Sequence, residues 1–302
     1  MNPAVSLRGA HLGMLLWAVL VGLSFPAVGL MSELPPLSLT ALRFFIACAA
    51  LGWLARRSPD FLPAPGLLPL YALMGLCLAG FFGTMFWAAH HTTALSMATL
   101  HVSVPLLAFL LGLGLGVERP GWRLPAILAL GALGALGLAV AEGWQQGAGV
   151  AFGRSEAVFF LGCIATACYP VLSRWGLATG RLPESAAVRT FWSLGLGGVL
   201  IGLAGVAVEP VERLAAMSGL DLVLLVYLGL CSSALTFWLM QRATAALTPG
   251  ALTAYGYLVP FVSMLLLFVQ SPERIGWAWL PGSLAVLLAM GLLMRGDGRA
   301  GV

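Results

Sequence analysis

Ten long apolar runs constrain the fold of this chain more than any other feature of its sequence. They cover about residues 11–31, 37–55, 67–89, 94–116, 123–141, 156–175, 184–207, 221–240, 247–269 and 278–295. A helix needs roughly 20 mostly apolar residues to cross the hydrocarbon core of a bilayer, and each run is close to that length. Short segments rich in proline, glycine and charge separate the runs, as expected of turns. The pattern predicts ten transmembrane helices.

The composition supports a membrane protein whose surface faces lipid. Hydrophobic residues make up 60% of the chain and charged residues only 9%, and the mean hydropathy is +0.98. Soluble domains carry about 25% charged residues because their surface faces water. The five cysteines all lie inside apolar runs without CxxC spacing, which is typical of small buried residues. We therefore predict an all-α integral membrane protein with no metal ligands and no cofactor.

The arginines predict which way the helices run. The chain has no lysine, so all 15 basic residues are arginine. If the N-terminus is cytoplasmic, ten arginines lie on the cytoplasmic side, three lie outside, and Arg43 and Arg189 lie within spans. The inside set is Arg8, Arg56, Arg57, Arg119, Arg123, Arg174, Arg181, Arg242, Arg295 and Arg299, and the outside set is Arg154, Arg213 and Arg274. Cytoplasmic loops carry such an excess, so both termini are predicted to be cytoplasmic. Because the arginines are dispersed along loops, they do not predict a nucleic-acid partner.

A short polar phrase occurs twice, each time after a long apolar run. ERPGW occupies residues 118–122 and ERIGW residues 273–277, and a proline lies 13 residues before the glutamate in both places. Other features repeat in the same order: Phe86-Trp87 with Phe237-Trp238, Ser24-Phe25-Pro26 with Cys168-Tyr169-Pro170, and Arg43 with Arg189. The chain is therefore predicted to be a duplicated five-helix unit.

The odd number of helices in the unit decides how the copies lie in the membrane. A second copy of a five-helix unit enters the bilayer in the opposite direction, which gives two inverted repeats. We place the first at residues 11–145 and the second at residues 150–295. Inverted repeats around a midplane site are a recurring plan of transporters, because exchanging the conformations of the two halves switches access between the two sides.

Three segments carry a resemblance to a known family. They are PPLSLTALRFF in the second run, ALSMATLHVSVPLLAFLLGLGLGVERPGW across the fourth and ALTPGALTAYGYLVPFVSMLLLFVQSPERIGW across the ninth. Each of the last two combines a start in small residues, a proline in the helix and a glutamate past its end. On these features the chain resembles the drug/metabolite transporter superfamily of the EamA type. The run HHTTALSM is similar to bacterial aromatic amino acid exporters of the YddG type.

The resemblance implies a function and a location. It implies export of amino acids or similar small metabolites through the bacterial inner membrane, with a central cavity lined mainly by helices 1, 3, 4, 6, 8 and 9. The substrate would be a small molecule, including aromatic or other neutral amino acids. The exact substrate and the oligomeric state are left open by the sequence.

The titratable residues bear on how transport is driven. In the sequence no Asp or Glu lies deep in a predicted span, so we expect facilitated diffusion by alternating access. Histidine titrates near neutrality and can replace a membrane carboxylate. One hypothesis is that His90, His91 or His101 faces the pathway and hydrogen-bonds the polar end of the substrate. Proton exchange through such a histidine would make the protein a proton-coupled drug/metabolite antiporter instead. The alternative for all three histidines is a polar contact between packed helices.

Aromatic side chains are the main candidates for substrate contact. Rings offer a large apolar wall with a polar tip, which suits an amphiphilic substrate, although Trp and Tyr also gather at membrane interfaces. The predicted substrate-binding residues are Trp17, Phe86, Trp87, His90, His101, Tyr169, Trp238 and Tyr255. Gly83, Phe86, Trp87 and His90 follow three- and four-residue steps and share one helix face. Tyr255 and Tyr257 differ by two positions, so we expect at most one of them to face a cavity.

Two prolines are candidate hinges of the conformational switch. Pro26 and Pro170 lie within spans and free a backbone carbonyl by removing a hydrogen bond. They are hinges if they flex during the switch and static kinks otherwise.

Arg43 and Arg189, the two arginines within spans, are either an anion clamp or a structural part of each repeat. Their symmetric placement in the two halves favours the structural role.

The sequence favours a transporter over two other classes of membrane protein. A membrane-embedded enzyme would need a carboxylate pair, a HExxH motif or a Ser/His set, and none of these patterns occurs in the sequence. The adjacent His90 and His91 lack the four-residue spacing of two metal ligands on one helix face. A structural subunit would have no use for two mirrored halves.

Overall fold

The computed structural model describes residues 6–31, 33–145, 149–150, 153–270 and 276–297. Within these ranges the regular structure is entirely helical, and ten helical segments are long and apolar enough to cross a membrane. We number them α1 to α10. They are α1 Leu7–Leu30, α2 Pro36–Arg56, α3 Pro65–Ala89, α4 Ala94–Gly114, α5 Arg123–Gly143, α6 Arg154–Ala178, α7 Ala186–Val208, α8 Gly219–Ala243, α9 Pro249–Gln270 and α10 Trp277–Gly296. The prediction of an all-α membrane protein with ten spans is confirmed.

Some predicted features lie outside the described residues. Residues 273–275 of the second copy of the repeated phrase are among them, and so is Arg299. Arg274, which was assigned to the external set, lies there too.

The outer surface of the bundle is apolar, as a lipid-facing surface must be. Leu30, Leu133, Leu161 and Leu203, from four different helices, are each more than 60% exposed. Contiguous exposed apolar surface of this kind marks contact with a membrane when it covers a whole bundle. The exposed leucines therefore face the acyl chains.

Local sequence signals set many of the helix ends. Thr93 and Ser185 accept a hydrogen bond from the backbone N–H three residues later, at the starts of α4 and α7. Ser218 and Asp221 form a capping box at the start of α8. Gly116 and Gly180 have φ of +68° and +66°. In both turns the next residue donates its N–H to a carbonyl of the last helical turn, as in a Schellman motif.

Three spans depart from the regular α-helix in their interior. α4 is interrupted by a turn at Val102 and Ser103. α8 contains a π-helical stretch, Leu228–Leu235, and α9 contains the 3₁₀ stretch Ala254–Tyr257. Departures of this kind often mark functional positions in helices. All three lie in helices that the resemblance assigned to the cavity.

The helix contacts between the two halves are symmetric: exchanging each helix of the first half for its counterpart in the second half gives the same set of pairs. α2 packs on α7, α4 on α9 and α5 on α10, and these pairs map onto themselves when the halves are exchanged. The contact of α3 with α6 is matched by that of α8 with α1, and the contact of α3 with α7 by that of α8 with α2. This symmetry is compatible with the predicted repeats, whose boundaries and inversion remain predictions.

Glycines allow the closest helix contacts between the halves. A Cβ built on Gly75 of α3 would lie 2.7 Å from the backbone nitrogen of Gly197 of α7. A Cβ on Gly134 of α5 would lie 2.7 Å from the backbone nitrogen of Val286 of α10. Helices in lipid associate largely through close packing, because lipid is as apolar as their side chains. These glycines are therefore part of what holds the halves together.

Candidate functional site

A continuous row of rings crosses the interior of the bundle. We call it the aromatic row, and it consists of His101 of α4, Phe81, Phe82 and Phe86 of α3, Phe44 of α2, Phe237 of α8 and Tyr169 of α6. Neighbouring ring centroids lie 5.3 to 6.2 Å apart. Most pairs are tilted or edge-to-face, which is the arrangement that ring quadrupoles prefer. The row joins five helices taken from both halves of the chain.

One end of the row continues into a buried polar cluster. We define the polar cluster as Tyr169 and Ser173 of α6, Arg189 and Ser193 of α7, and Gln241 of α8. The Gln241 amide donates to the hydroxyls of Tyr169 at 2.8 Å and Ser173 at 2.7 Å. The hydroxyls of Tyr169 and Ser193 lie 3.0 Å apart. The cluster therefore joins the phenol of the aromatic row, on α6, to α7 and α8.

Arg189 is the charged member of the polar cluster and is held by neutral acceptors. It is fully buried. Its Nε donates to Gln241 Oε1 at 3.0 Å, and its two terminal nitrogens donate to the backbone carbonyls of Pro183 and Gln241, both at 2.5 Å. A buried charge is expensive unless hydrogen bonds compensate it, and here all three nitrogens have an acceptor. This supports the structural reading of Arg189 over the anion clamp.

Arg43, which the repeat pairs with Arg189, has a different environment. Its side chain is buried, and one terminal nitrogen donates to the hydroxyl of Ser232 in the π-helical stretch at 3.2 Å. Within the described part of the chain its Nε has no hydrogen-bond partner. The two arginines therefore share a position in the sequence repeat but not a set of partners.

The aromatic row brings three of the predicted site residues together. Phe86 stacks on Phe82, and His101 lies beside Phe81 with their centroids 5.9 Å apart. Tyr169 closes the other end of the row and is 2% exposed. Trp238 packs against the same core as Phe237, and the guanidinium of Arg242 lies 5.4 Å from its ring centroid.

Two predicted residues lie in a separate core. Trp17 packs half-buried against a core cluster formed mainly by α1, α5, α9 and α10, and Tyr255 lies fully buried within it. The Tyr255 hydroxyl is hydrogen-bonded to Nδ1 of His11 of α1. Tyr257 is also buried, and it donates to the carbonyl of Val102 at 3.2 Å. Both tyrosines thus join α9 to another helix.

The remaining predicted site residues lie at the end of α3. His90 is exposed, and its Nδ1 lies 2.9 Å from the carbonyl of Phe86 on the same helix. Trp87 is 39% exposed and stacks on His91 with a centroid separation of 4.2 Å. These side chains interact within their own helix, next to the row but not in it.

The two candidate hinge prolines lie in unbroken helices. Pro26 is exposed on α1 and Pro170 is buried in α6. Because proline has no N–H, the carbonyls of Gly22 and Thr166 lack the donor that a helix normally supplies from four residues later. Each helix continues past its proline, so both positions have the reduced hydrogen bonding that a hinge requires.

Glutamates from the loops bind helix starts in the opposite half. Glu118 of the first repeated phrase is buried, and its Oε2 accepts from the backbone N–H of Gly250 at the start of α9 at 2.9 Å. Glu209 accepts from the backbone N–H groups of Leu37 and Ser38 at the start of α2, at 2.7 and 2.9 Å. Carboxylates are stabilising at helix N-termini, where N–H groups are unsatisfied. Their role in this structure is therefore to join the halves.

Sequence reasoning missed several residues of these arrangements. Phe44, Phe81 and Phe82 belong to the aromatic row. In an apolar run, a phenylalanine that faces the interior cannot be told from one that faces lipid by sequence alone. His11 stood at the edge of the first apolar run, where polar residues are expected at the interface. Gln241 was visible as a polar residue at the end of an apolar run, although its three partners, Tyr169, Ser173 and Arg189, are distant in sequence.

Among the described residues no group of three or more His, Cys, Asp or Glu is placed to hold a metal ion. The arrangement places packed aromatic rings next to buried hydroxyl and amide groups and the guanidinium of Arg189. Sites for small molecules are commonly lined by apolar and aromatic side chains with a few polar groups, which is the composition of this region.

Comparison with known proteins gives three similarities. Residues 8–140 match the model of the EamA-like transporter family. The chain is 22% identical over 304 residues to the "Uncharacterized transporter YcxC" of Bacillus subtilis (strain 168), covering 93% of this chain and 91% of that protein. The crystal structure of a protein 21% identical in sequence superposes with a TM-score of 0.79, over 98% of this chain and 99% of that chain. The last similarity shows the fold, and the first two are similarities to transporters.

Proposed function

We propose that this chain is a membrane transporter of the EamA-like family and that it exports amino acids or similar small metabolites by alternating access. The match of residues 8–140 to that family and the distant similarity to a transporter over most of the chain support the proposal. The ten spans and the exchange symmetry of the helix pairs support it as well, since two matched halves are what alternating access uses. On this account the protein is not an enzyme.

The observation that carries the substrate proposal is the aromatic row with its polar end. Six carbocyclic rings and one imidazole provide an apolar wall that joins both halves, and the polar cluster at one end contains hydroxyls and an amide. A neutral amino acid with an apolar or aromatic side chain matches such a surface. Phe86, His101 and Tyr169 are the predicted contact residues that belong to the row, and Trp238 lies beside it.

We infer that export is downhill, by facilitated diffusion. Two of the loop glutamates, Glu118 and Glu209, cap helices across the halves, so their carboxylates are committed to structure. The sequence places no other carboxylate deep in a span. The second candidate, a His-dependent proton-coupled antiporter, is favoured by the position of His101 within the aromatic row.

The proposed location is the bacterial inner membrane, with both termini in the cytoplasm. The ten to three arginine bias supports this orientation.

In the switch between the two access states, Pro26 and Pro170 act as hinges because the helix loses a hydrogen bond at each. Alanine at either position should slow transport, and full transport by both alanine variants would contradict the hinge role.

Counterflow in liposomes tests the proposed function. Purified protein is reconstituted in vesicles loaded with an unlabelled neutral amino acid, and uptake of the labelled compound is followed for aromatic, branched and acidic amino acids. We expect counterflow for neutral compounds with apolar side chains, and a loss of it in Phe237→Ala. The matched control is Leu161→Ala on the lipid face, which should retain it. Absence of counterflow for every compound in an intact protein would contradict the proposal.

A further inference from the structure

A second polar region lies away from the aromatic row, in a pocket between α1, α5, α9 and α10. The pocket has a volume of about 210 Å³ and is lined by Gly22, Pro26, Glu142, Ser263, Gln270 and Trp279 among others. α5 and α9 end next to it and α10 begins there, so it lies at one face of the bundle. By the topology proposed above, that face is external.

Hydrogen-bond acceptors from three helices line this pocket. The Gly22 carbonyl lacks the helical donor that Pro26 would otherwise supply. Glu142 contributes a carboxylate from the last turn of α5, and Ser263 and Gln270 contribute oxygens from α9. A group with several N–H donors is the natural complement of such a set, and a primary ammonium group has three.

The carboxylate of Glu142 can accept from a ligand while it keeps the contacts that it already has. Glu142 does interact with other groups of the protein. An ionised carboxylate has two oxygens with about four acceptor positions, so it can accept from more than one donor at once. Hydrogen bonds between an ammonium and a carboxylate are also stronger than those between neutral groups.

An unsatisfied donor lies against the same pocket. The indole N–H of Trp279 is buried and has no hydrogen-bond partner within the described part of the chain, although the residue lines the pocket. A buried donor without a partner is costly. An ammonium group has donors only, so this N–H is a feature of the pocket that the ammonium group does not satisfy. Phe25 and Met264 supply an apolar wall beside these polar groups.

The pocket is small and lies beside a close contact between two helices. Pockets for drug-sized ligands have volumes of about 300 to 1,000 Å³, so this one suits a smaller molecule. Next to it α1 and α9 are in tight contact, because a Cβ on Gly22 would lie 2.6 Å from Cγ1 of Val262. This contact lies about one helical turn from the candidate hinge Pro26.

We propose that the pocket is an outer subsite that binds the primary ammonium group of the transported molecule, with Glu142 and the Gly22 carbonyl as acceptors and Phe25 and Met264 against the apolar body. The proposal rests on the proposed transport function, and it adds a substrate class: amines and amino acids with a small apolar side chain. The molecule occupies the subsite on the external side of the contact between α1 and α9.

Binding to the purified protein tests the subsite without requiring transport. Three probes share one branched apolar body and differ in the polar group: isoamylamine, isoamyl alcohol and isovalerate. We expect isoamylamine to raise Tm of the wild type by at least about 2 °C at saturation, and the alcohol and the carboxylate to give no such rise. Glu142→Gln should abolish the rise, whereas the matched change Glu212→Gln, at an exposed position in the loop before α8, should retain it.

Three results would overturn the subsite. They are an equal rise in Tm for all three probes, a rise that survives Glu142→Gln, and no rise for any probe in a wild-type protein that carries out counterflow. The last result would leave the transport function standing. Conversely, isoamylamine binding with no counterflow would retain the pocket as an amine site and contradict the transporter.

The same ammonium chemistry occurs in the headgroup of phosphatidylethanolamine. Reconstitution in phosphatidylcholine vesicles with and without phosphatidylethanolamine separates the two sources. We expect the isoamylamine effect in both lipids. An effect that disappears when phosphatidylethanolamine is present, together with a lipid-dependent Tm that Glu142→Gln removes, would assign the pocket to the lipid and overturn its role for substrate.

Discussion

At the scale of single residues, the most constrained group in this protein is the buried guanidinium of Arg189. Its three nitrogens donate to Gln241 and to the carbonyl of Pro183. Gln241 in turn holds the phenol of Tyr169. The Gln241 amide therefore holds both the guanidinium of Arg189 and the hydroxyl of Tyr169 at the end of the aromatic row. Removing this amide breaks both contacts.

Replacing Gln241 by Leu should destabilise the protein by about 1–3 kcal/mol, because the Arg189 Nε loses its acceptor inside the bundle. Tyr169→Phe should cost less, about 0.6 kcal/mol, which is the average value of a hydrogen bond between membrane helices. Unfolding in mixed micelles measures both. If both substitutions lowered the free energy of unfolding equally, Gln241 would not be the residue that holds both Arg189 and Tyr169.

The histidines separate the two proposed modes of transport. We expect His90→Ala and His91→Ala to keep counterflow near the wild-type rate, because both rings bond to carbonyls of their own helix. His101→Ala should lower the rate because it removes one end of the aromatic row. In vesicles with a pH-sensitive dye inside, we expect no proton movement with substrate. Proton movement that His101→Ala abolishes would instead establish the antiporter.

At the scale of helices, the sequence predicted the number and order of the ten helices, but not the irregular stretches inside them. Each of the ten apolar runs became a helix, since length and hydrophobicity alone decide which segments cross a bilayer. The interruption of α4 at Val102 and the π-helical stretch in α8 have no such signal, because packing against neighbouring helices determines them. The same limit applies to the row: Phe86 and His101 were predicted site residues, whereas Phe44 and Phe82 acquire their place only from tertiary structure.

Two glycines of α3 provide a matched test of helix packing. Gly75→Ala should destabilise the protein by about 1–3 kcal/mol, because the new methyl group would meet the backbone of α7. Gly83→Ala is the control on the same helix, since a Cβ there meets nothing within 4 Å. Thermal unfolding in detergent compares the two. A Gly83→Ala variant as unstable as Gly75→Ala would contradict the packing described for α3 and α7.

The cap on α9 explains one copy of the repeated phrase. Glu118→Ala should cost about 1 kcal/mol, because the N–H of Gly250 loses its acceptor and the helix start loses a negative charge. Glu212→Ala, in an exposed loop position, is the matched control and should be near neutral. Unfolding measurements should show the difference, and no loss of stability in Glu118→Ala would remove this link between the halves.

At the scale of the whole molecule, exchange symmetry joins the fold to the proposed function. α2 with α7, α4 with α9 and α5 with α10 form pairs across the halves, and the remaining major contacts occur in matched sets. A carrier that alternates between two states needs two arrangements of similar energy, and two equivalent halves provide them when each adopts the other's conformation. The inversion of the two halves in the membrane does not follow from these contacts and stays a prediction.

Site-directed labelling of the two tryptophans that end the repeated phrases tests that inversion most directly. Trp122 and Trp277 are 83% and 88% exposed, so a cysteine at either position is accessible to a reagent. Trp122→Cys and Trp277→Cys are made in a background without the five native cysteines and treated in intact cells with a membrane-impermeant thiol reagent. The account predicts that position 277 is labelled from outside and position 122 only after the cells are permeabilised. Labelling of both positions from the same side would contradict the inverted repeats and the alternating-access mechanism based on them.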